Sequence, residues 1–169
     1  MGYNTAFAGE IKVEPPLNEH EISYLRDFAE IRHTYIAGDP ESQTNAKPFA
    51  IPGNDTGNDP HPGMPGIWMN WWPEDDGSKL VWTEEEKTYH HDKWLTWIIN
   101  NLLSDRARSV IDQHKDQDPR LEHFTCDHTF SGMVHARGED FDDIWAMCIA
   151  ENGLDVETAR LLEDPYDWS

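Results

Sequence analysis

The sequence predicts an α+β fold, in which an antiparallel sheet of five to six strands carries two to three helices on one face. Segments of alternating apolar and polar residues indicate the strands, and separate segments with apolar residues at helical spacing indicate the helices. The pair Asn152-Gly153 is the strongest two-residue hairpin signal in the chain. A length of 169 residues fits one domain with its own core, so we expect residues 1–169 to form a single unit.

The N-terminal part predicts a strand followed by a helix. From Phe7 to Val13, one side of an extended chain is mainly apolar and the other mainly polar, as in a half-buried strand. Asn18 and Glu21 have the spacing of a reciprocal helix cap. Apolar residues at helical spacing follow, so we expect this helix to run to about His33.

The middle of the chain begins with a long irregular loop at about 38–66, rich in Pro, Gly and small polar residues. Segments 67–72 and 79–82 then predict a hairpin, because they flank a polar turn that contains Gly77. Thr83 is the expected cap of a second helix, whose apolar stripe includes Trp94 and Ile98.

The C-terminal part predicts a short helix and three more strands. Residues 104–114 are expected to form either this third helix or a bent continuation of the second, and segments 130–136 and 144–150 a hairpin. A last strand from Leu154 should follow the Asn152-Gly153 turn.

The strongest compositional feature is acidity: 33 Asp and Glu face 13 Lys and Arg, for a net charge of −20. Such a charge opposes direct binding to nucleic acid or to an anionic membrane, and it favours a basic protein as partner. Two cysteines are too few for a disulfide framework, and neither a signal peptide nor an apolar run long enough to span a membrane is visible. We therefore expect a cytoplasmic protein.

The acidic runs are the candidate partner-binding residues. They lie in predicted turns and at a predicted helix start, and none has the ligand spacing of a calcium loop. The residues are Asp75, Asp76, Glu84, Glu85, Glu139, Asp140, Asp142 and Asp143. The alternative is that these charges serve solubility alone.

Aromatic residues offer a second candidate site. If a strand begins at Ile67, one of its faces carries Trp68, Asn70 and Trp72. Together with His61 and Tyr89 they would line a cleft for a planar ligand such as a nucleotide. The alternative is that the helices and the long loop bury these rings as core.

A third candidate is a zinc site built from His123, Cys126 and His128, with Cys148 as a fourth ligand. The spacing matches no standard zinc motif, and buried cysteines commonly act as small apolar residues. No nucleophile elbow, phosphate loop or metalloprotease motif is present, so we assign no catalytic residues. This absence favours a protein that is not an enzyme and leaves an enzymatic role open.

Several short motifs occur together in a fixed order. They are Met1-Gly-Tyr-Asn-Thr-Ala-Phe, Pro16-Leu17, Tyr24-Leu-Arg-Asp-Phe-Ala29, Pro65-Gly-Ile-Trp68, Trp82 to Tyr89, Trp94-Leu95, Ser131-Gly132, Gly138-Glu-Asp140 and Glu151-Asn152. In this order the chain resembles a family of small uncharacterised proteins found in bacteria and their phages. The resemblance departs at residues 38–62 and 104–128. It implies a single compact cytoplasmic unit, and it carries no known activity.

These observations predict a non-enzymatic acidic binding protein. In a phage setting it would be an inhibitor that engages a basic, nucleic-acid-handling protein through its carboxylates. The first alternative is a nucleotide-binding protein that uses the aromatic cleft, and the second is a zinc-dependent hydrolase.

Overall fold

The longest strands of the sheet lie next to each other at its centre. In the computed structural model, which describes residues 5–36, 38–41, 47–51, 57, 59–61, 63–82, 91–138, 144–150 and 153–157, strand β1 (Thr5–Glu14) pairs along its whole length with β6 (Thr129–Gly138). This pair is antiparallel, with Ile11 opposite Gly132 and Val13 opposite Phe130. Two segments more than a hundred residues apart thus form the middle of the molecule.

Six antiparallel strands form the main sheet, in the order β4-β5-β1-β6-β7-β8. The others are β4 (Trp71–Pro73), β5 (Lys79–Trp82), β7 (Ile144–Ala150) and β8 (Gly153–Glu157). A separate pair consists of β2 (Thr34–Tyr35) and β3 (Asp59–Pro60). The antiparallel α+β prediction is confirmed, and β7 pairs with β6 and β8 as expected. The last strand begins at Gly153, which pairs with Ala150, so Gly153 belongs to the strand and not to the expected Asn152-Gly153 turn.

Three α-helices lie in the described residues: α1 (Glu19–Glu30), α2 (His91–Ile98) and α3 (Arg108–His114). A π-helical segment, Ile99–Leu103, continues α2, and a 3-10 turn, Asp105–Ala107, leads into α3. Two further 3-10 segments, Lys115–Gln117 and Pro119–His123, connect α3 to β6. The expected cap Thr83 lies outside the described residues.

The core lies between the helices and one face of the sheet. On β1, Ile11 and Val13 are buried, whereas Glu10, Lys12 and Glu14 are exposed. On β6 the buried residues Phe130, Val134 and Ala136 likewise lie an even number of positions apart, so one face of the central strand pair is apolar. The helices cover that face with large buried side chains, among them Tyr24, Leu25, Phe28, Trp94, Leu95, Ile98 and Leu102.

Two boundaries differ from the sequence-based expectation, and one contact explains both. Helix α1 ends at Glu30 rather than at about His33, and the strand expected from Ile67 begins at Trp71. The His33 N–H donates to Ile67 O at 2.8 Å, so both segments use their backbone groups on each other. Hydrogen bonding between distant segments therefore replaces the last turn of the helix and the first residues of the strand.

Candidate functional site

An exposed turn of three consecutive carboxylates, Glu74 to Asp76, joins β4 to β5. The Gly77 N–H closes this turn by donating to Glu74 O at 3.0 Å. Gly77 has a φ of +75°, and a Cβ there would lie 2.3 Å from Leu17 O, so only glycine fits. In return the Leu17 N–H donates to Gly77 O at 2.9 Å. The turn is thus fixed against the segment between β1 and α1.

Two carboxylates of this turn have defined partners. Asp76 accepts hydrogen bonds from the Ser78 hydroxyl at 2.6 Å and from the Ser78 N–H at 3.0 Å. These bonds lower the pKa of Asp76, so it stays ionised. Asp75 accepts from the Arg26 guanidinium at 2.6 Å, although its own side chain is 97% exposed. The turn therefore presents fixed negative charge to solvent.

Arg26 connects the acidic turn to the aromatic edge of the sheet. Its guanidinium carbon lies 5.3 Å from the centroid of the Trp72 ring, a cation–π distance. The same nitrogen that binds Asp75 also donates to Pro73 O at 3.1 Å. Two residues predicted for different sites, Asp75 and Trp72, are thus joined through one side chain of α1. No motif singled out Arg26 in the sequence.

The other described candidates for the aromatic cleft precede this turn in the chain. Trp68 is 45% exposed and Asn70 is half-buried, and both precede β4. The expectation that they share a strand face with Trp72 is therefore wrong, because only residues 71–73 are extended in the sheet. His61 is half-buried, and its N–H donates to His33 O at 3.0 Å.

Most of the remaining candidates cannot be placed. Seven residues lie outside the described part of the chain: Glu84, Glu85, Tyr89, Glu139, Asp140, Asp142 and Asp143. The structure therefore brings together Asp75, Asp76 and Trp72 and leaves the role of the other acidic runs as a prediction.

A buried ion pair that the sequence did not reveal lies at the start of α1. Glu21 is the third helical residue and completes the predicted cap with Asn18, through reciprocal bonds of 2.9 Å. Its other carboxylate oxygen lies 2.8 Å from His128 Nε2, and both side chains are almost wholly buried. His128 Nδ1 lies 2.6 Å from Pro15 O. The imidazole therefore has an acceptor at each nitrogen.

This environment favours the protonated form of His128. Burial by itself lowers the pKa of a histidine, but the hydrogen bond and negative charge of Glu21 outweigh it, and the pKa of His128 is raised. Thr125 Oγ1 lies 3.1 Å from His128 Nε2 and donates to Asp127 at 2.6 Å. Because an imidazolium has no free lone pair, this histidine neither activates a hydroxyl nor ligates a metal in this state.

The zinc candidates occupy different environments. The Cys126 thiol is buried in the core, which raises its pKa. Cys148 is half-buried on β7 and alternates with core residues, so it faces the other side of the sheet. His123 is exposed, with its ring 3.9 Å from that of His20. Within the described ranges, no three His, Cys, Asp or Glu side chains form a group able to hold a metal ion.

A second buried histidine lies at the other end of α1. His33 Nε2 donates to Phe28 O at 2.9 Å, a carbonyl of the last helical turns. Burial lowers the pKa of His33 to about 4, so the ring is neutral at pH 7. The ring packs beside those of Phe28 and Trp94, at 4.1 and 5.3 Å between centroids.

The middle of α1 is held by Arg120. The guanidinium binds the buried carboxylate of Asp118 and lies over the Tyr24 ring. One of its nitrogens lies 2.6 Å from Asp27 Oδ2. It also donates to Ser23 Oγ at 3.0 Å. Arg120 therefore anchors the exposed side of α1 to the 3-10 segment before β6.

Comparison with other proteins assigns no family. No protein-family model, curated protein or solved structure matches this chain. The resemblance to uncharacterised bacterial and phage proteins therefore stays a prediction. In the described part of the chain, every helix is too short or too polar to traverse a lipid bilayer.

Proposed function

We propose that this protein is a non-enzymatic binding protein that engages a basic protein partner through the acidic turn Glu74–Asp76. The observation that carries the proposal is the turn itself: three consecutive exposed carboxylates are held on a closed, docked backbone. A net charge of −20 adds a long-range field that attracts cationic partners.

The order of the turn favours binding because little conformational freedom remains to be lost. Gly77 and Leu17 fix the backbone, and Ser78 and Arg26 fix the side chains of Asp76 and Asp75. A preorganised site binds more tightly than a flexible one with the same charges. Asp75 remains almost fully open to solvent, so a second cation can reach it while Arg26 stays in place.

The partner class follows from this chemistry. Three exposed carboxylates on a fixed turn present negative charge as nucleic-acid phosphates do, and proteins that bind nucleic acid present complementary Lys and Arg. The proposed role is therefore an inhibitor of a nucleic-acid-handling protein, in which the turn competes with phosphates for a cationic channel. Competition with nucleic acid distinguishes this role from non-specific attraction between an acidic protein and a basic one.

The test compares two variants with the same change in charge. The first is Glu74→Gln/Asp75→Asn/Asp76→Asn. The control is Asp105→Asn/Asp116→Asn/Glu122→Gln, which neutralises three exposed carboxylates elsewhere. Tagged proteins would be used to capture partners from host lysate, with mass spectrometry as the readout. A captured basic protein would then be titrated against each variant at rising salt, with and without competing DNA.

We expect the turn variant to lose about tenfold or more in affinity and to show a weaker dependence on salt, because it removes the contacting charges. The control should lose much less, since distant charges are screened. Equal losses in the two variants, salt-independent binding, or binding that DNA does not compete would each contradict the proposal.

A nucleotide-binding role is the second candidate, and Arg26 is the observation that favours it. This guanidinium lies over Trp72 and supplies a positive group beside an aromatic ring at the sheet edge. Thermal-shift measurements with a panel of nucleotides test it, because a ligand bound only by the folded state raises the Tm. A Tm increase that is lost in Trp72→Leu would support this role over the first. No shift with any nucleotide would exclude it.

A further inference from the structure

A short segment, residues 47–51, is held on the helices mainly through one side chain. Phe49 is 3% exposed, whereas Lys47 is exposed and Pro48 is half-buried. The Ala50 N–H donates to Lys47 O at 3.1 Å, which closes a turn around Pro48 and Phe49. Within the described ranges, no hydrogen bond between main-chain groups joins this segment to another one. Phe49 is therefore its anchor.

The Phe49 ring lies against aromatic side chains from two helices. Its centroid is 5.7 Å from the ring of Trp97 on α2 and 4.7 Å from the ring of His114 on α3, and both pairs are stacked. Trp97 and His114 are only half-buried, although the Phe49 ring covers part of each. The ring of Phe49 is thus bound near the surface.

Both main-chain groups of Phe49 are bound by side chains as well. The Tyr24 hydroxyl donates to Phe49 O at 2.8 Å, and the Phe49 N–H donates to Gln117 Oε1 at 2.8 Å. Gln117 Nε2 in turn lies 2.8 Å from His114 Nδ1, and this contact fixes the orientation of the amide. Receptors bind a peptide residue in the same way, with a pocket for the side chain and hydrogen bonds to the main chain. We call four side chains the Phe49 slot: Tyr24, Trp97, His114 and Gln117.

The balance of forces makes the segment exchangeable. Ordering five residues costs conformational entropy, and burying one aromatic ring with two neutral hydrogen bonds contributes a free energy of the same order. The Phe49 slot itself belongs to the three helices and the 3-10 segment after α3, so its shape does not depend on residues 47–51. The Trp97 indole N–H, for example, donates to Gly63 O at 3.0 Å and not to the segment.

We propose that the Phe49 slot is a peptide-binding site that residues 47–51 occupy in the free protein. In the complex its occupant is a turn of a partner protein in which Phe follows Pro, as Phe49 follows Pro48 here. Pro at this position favours the turn and lowers the entropy that binding removes. The Phe49 slot shares no residue with the Glu74–Asp76 turn, so the inference goes beyond the proposed function.

Supplying the segment as a separate peptide tests this. The full-length variant Phe49→Ala empties the slot, and the probe is the peptide acetyl-Lys-Pro-Phe-Ala-Ile-amide. A second peptide with Ala in place of Phe is its control. Binding is measured from the NMR chemical shift of the Trp97 indole N–H. Gln117→Ala, added to Phe49→Ala, removes one hydrogen bond, and Gln113→Ala is its matched control because Gln113 is exposed on α3.

The expected affinities follow from competition with the segment. An effective concentration of about 1 mM and a docked state about tenfold more populated than the undocked one give a Kd of about 0.1 mM for Phe49→Ala. The wild type should bind the probe about tenfold more weakly, since its own Phe49 competes. Gln117→Ala should weaken binding about fivefold, and Gln113→Ala should leave it unchanged.

Other outcomes overturn the inference. If millimolar probe binds neither Phe49→Ala nor the wild type, Phe49 is an ordinary core residue, and the wild-type titration decides this even if the variant does not fold. Equal binding of the two peptides, or equal losses in the Gln117 and Gln113 variants, would exclude recognition by the Phe49 slot. A wild-type dimer that Phe49→Ala abolishes, measured by light scattering, would assign the slot to a second copy of this chain. None of these results affects the Glu74–Asp76 turn.

Discussion

A buried histidine lies at each end of helix α1, and the two rings favour different protonation states. At the N-terminal end His128 is 2% exposed, and against the effect of this burial Glu21 raises its pKa and favours the imidazolium. At the C-terminal end His33 is wholly buried and neutral beside Phe28 O. Both side chains are almost wholly shielded from solvent, so solvent exposure alone does not decide the protonation of a histidine.

The difference comes from the hydrogen-bonding groups that face each ring. His128 has acceptors at both nitrogens, and one of them is a carboxylate, so removing its proton would leave a buried acceptor without a donor. At His33 burial lowers the pKa, the Nε2–H donates to the neutral carbonyl Phe28 O, and the nearby His61 lowers the pKa further. Each end of α1 is therefore stabilised only over part of the pH range.

Removing the carboxylate at the N-terminal end should have the largest effect. Glu21→Gln leaves His128 buried without its counter-ion, and breaking such a pair costs several kcal/mol. We expect the free energy of unfolding to fall by about 3 kcal/mol, near the lower end of that range because His128 can lose its proton. Urea denaturation at pH 6 measures it.

Glu19→Gln is the matched control, since Glu19 lies in the same helical turn with its side chain 89% exposed. The free energy of unfolding of Glu19→Gln should be close to that of the wild type. A Glu21→Gln protein as stable as the Glu19→Gln protein would show that the buried pair contributes nothing net.

Acid should lower the free energy of unfolding through His33, at the C-terminal end of α1, by somewhat less than the Glu21→Gln substitution does. The pKa of His33 is about 4 in the folded protein and about 6.5 in the unfolded chain, so only the unfolded chain takes up a proton between these values. Stability from this group is complete above pH 6.5 and is lost as the pH falls toward 4. We expect a loss of about 2–3 kcal/mol between pH 7 and pH 4.5.

The non-titrating variant His33→Gln separates this contribution from all other groups. Its amide can still donate to a carbonyl, so urea unfolding of the variant should depend much less on pH in this range. A wild type and variant with parallel pH profiles would remove His33 as the origin of acid sensitivity.

Alkali should weaken the N-terminal end of α1 through His128, and this should be the smallest of the three effects on stability. The pKa of His128 is raised in the folded protein, so its contribution is complete below about pH 6.5 and is lost as the pH rises through the folded value. The effect is smaller because burial lowers the pKa of His128 and so opposes the increase caused by Glu21. Amide hydrogen exchange in α1, corrected for intrinsic rates, should therefore show less protection at pH 9 than at pH 6.5.

His128→Gln provides the reference for that measurement. Its protection should be lower than that of the wild type at pH 6.5 and should change little with pH. Protection in the wild type that increases between pH 6.5 and pH 9 would contradict the assignment of a charged His128.

The same histidine shows how far the sequence could lead to the candidate site. The cap formed by Asn18 and Glu21 was predictable and is confirmed, because its partners are three residues apart. The pairing of Glu21 with His128 was not, since 107 residues separate them and each side chain has an ordinary interpretation nearby. His128 instead looked like a zinc ligand, because Cys126 and His123 are its sequence neighbours.

Arg26 gives the corresponding lesson for the surface. The hairpin turn and its carboxylates were predictable from composition, and the turn at Glu74–Asp76 is confirmed. The approach of Arg26 to Asp75 and Trp72 depends on where α1 packs against the sheet edge. Periodicity predicts which face of a helix is buried but not which strand that helix contacts.

The sequence by itself determined the elements of this protein: the antiparallel α+β class, the cap of α1, the hairpins and a strongly acidic surface. These depend on interactions between residues close in the chain or on composition, so a linear pattern contains them. Only the tertiary structure decided the strand order, the early end of α1, the late start of β4 and the different protonation of His33 and His128. The first three follow from hydrogen bonds between segments far apart in sequence. The last follows from how the fold buries each ring and which groups it places beside that ring.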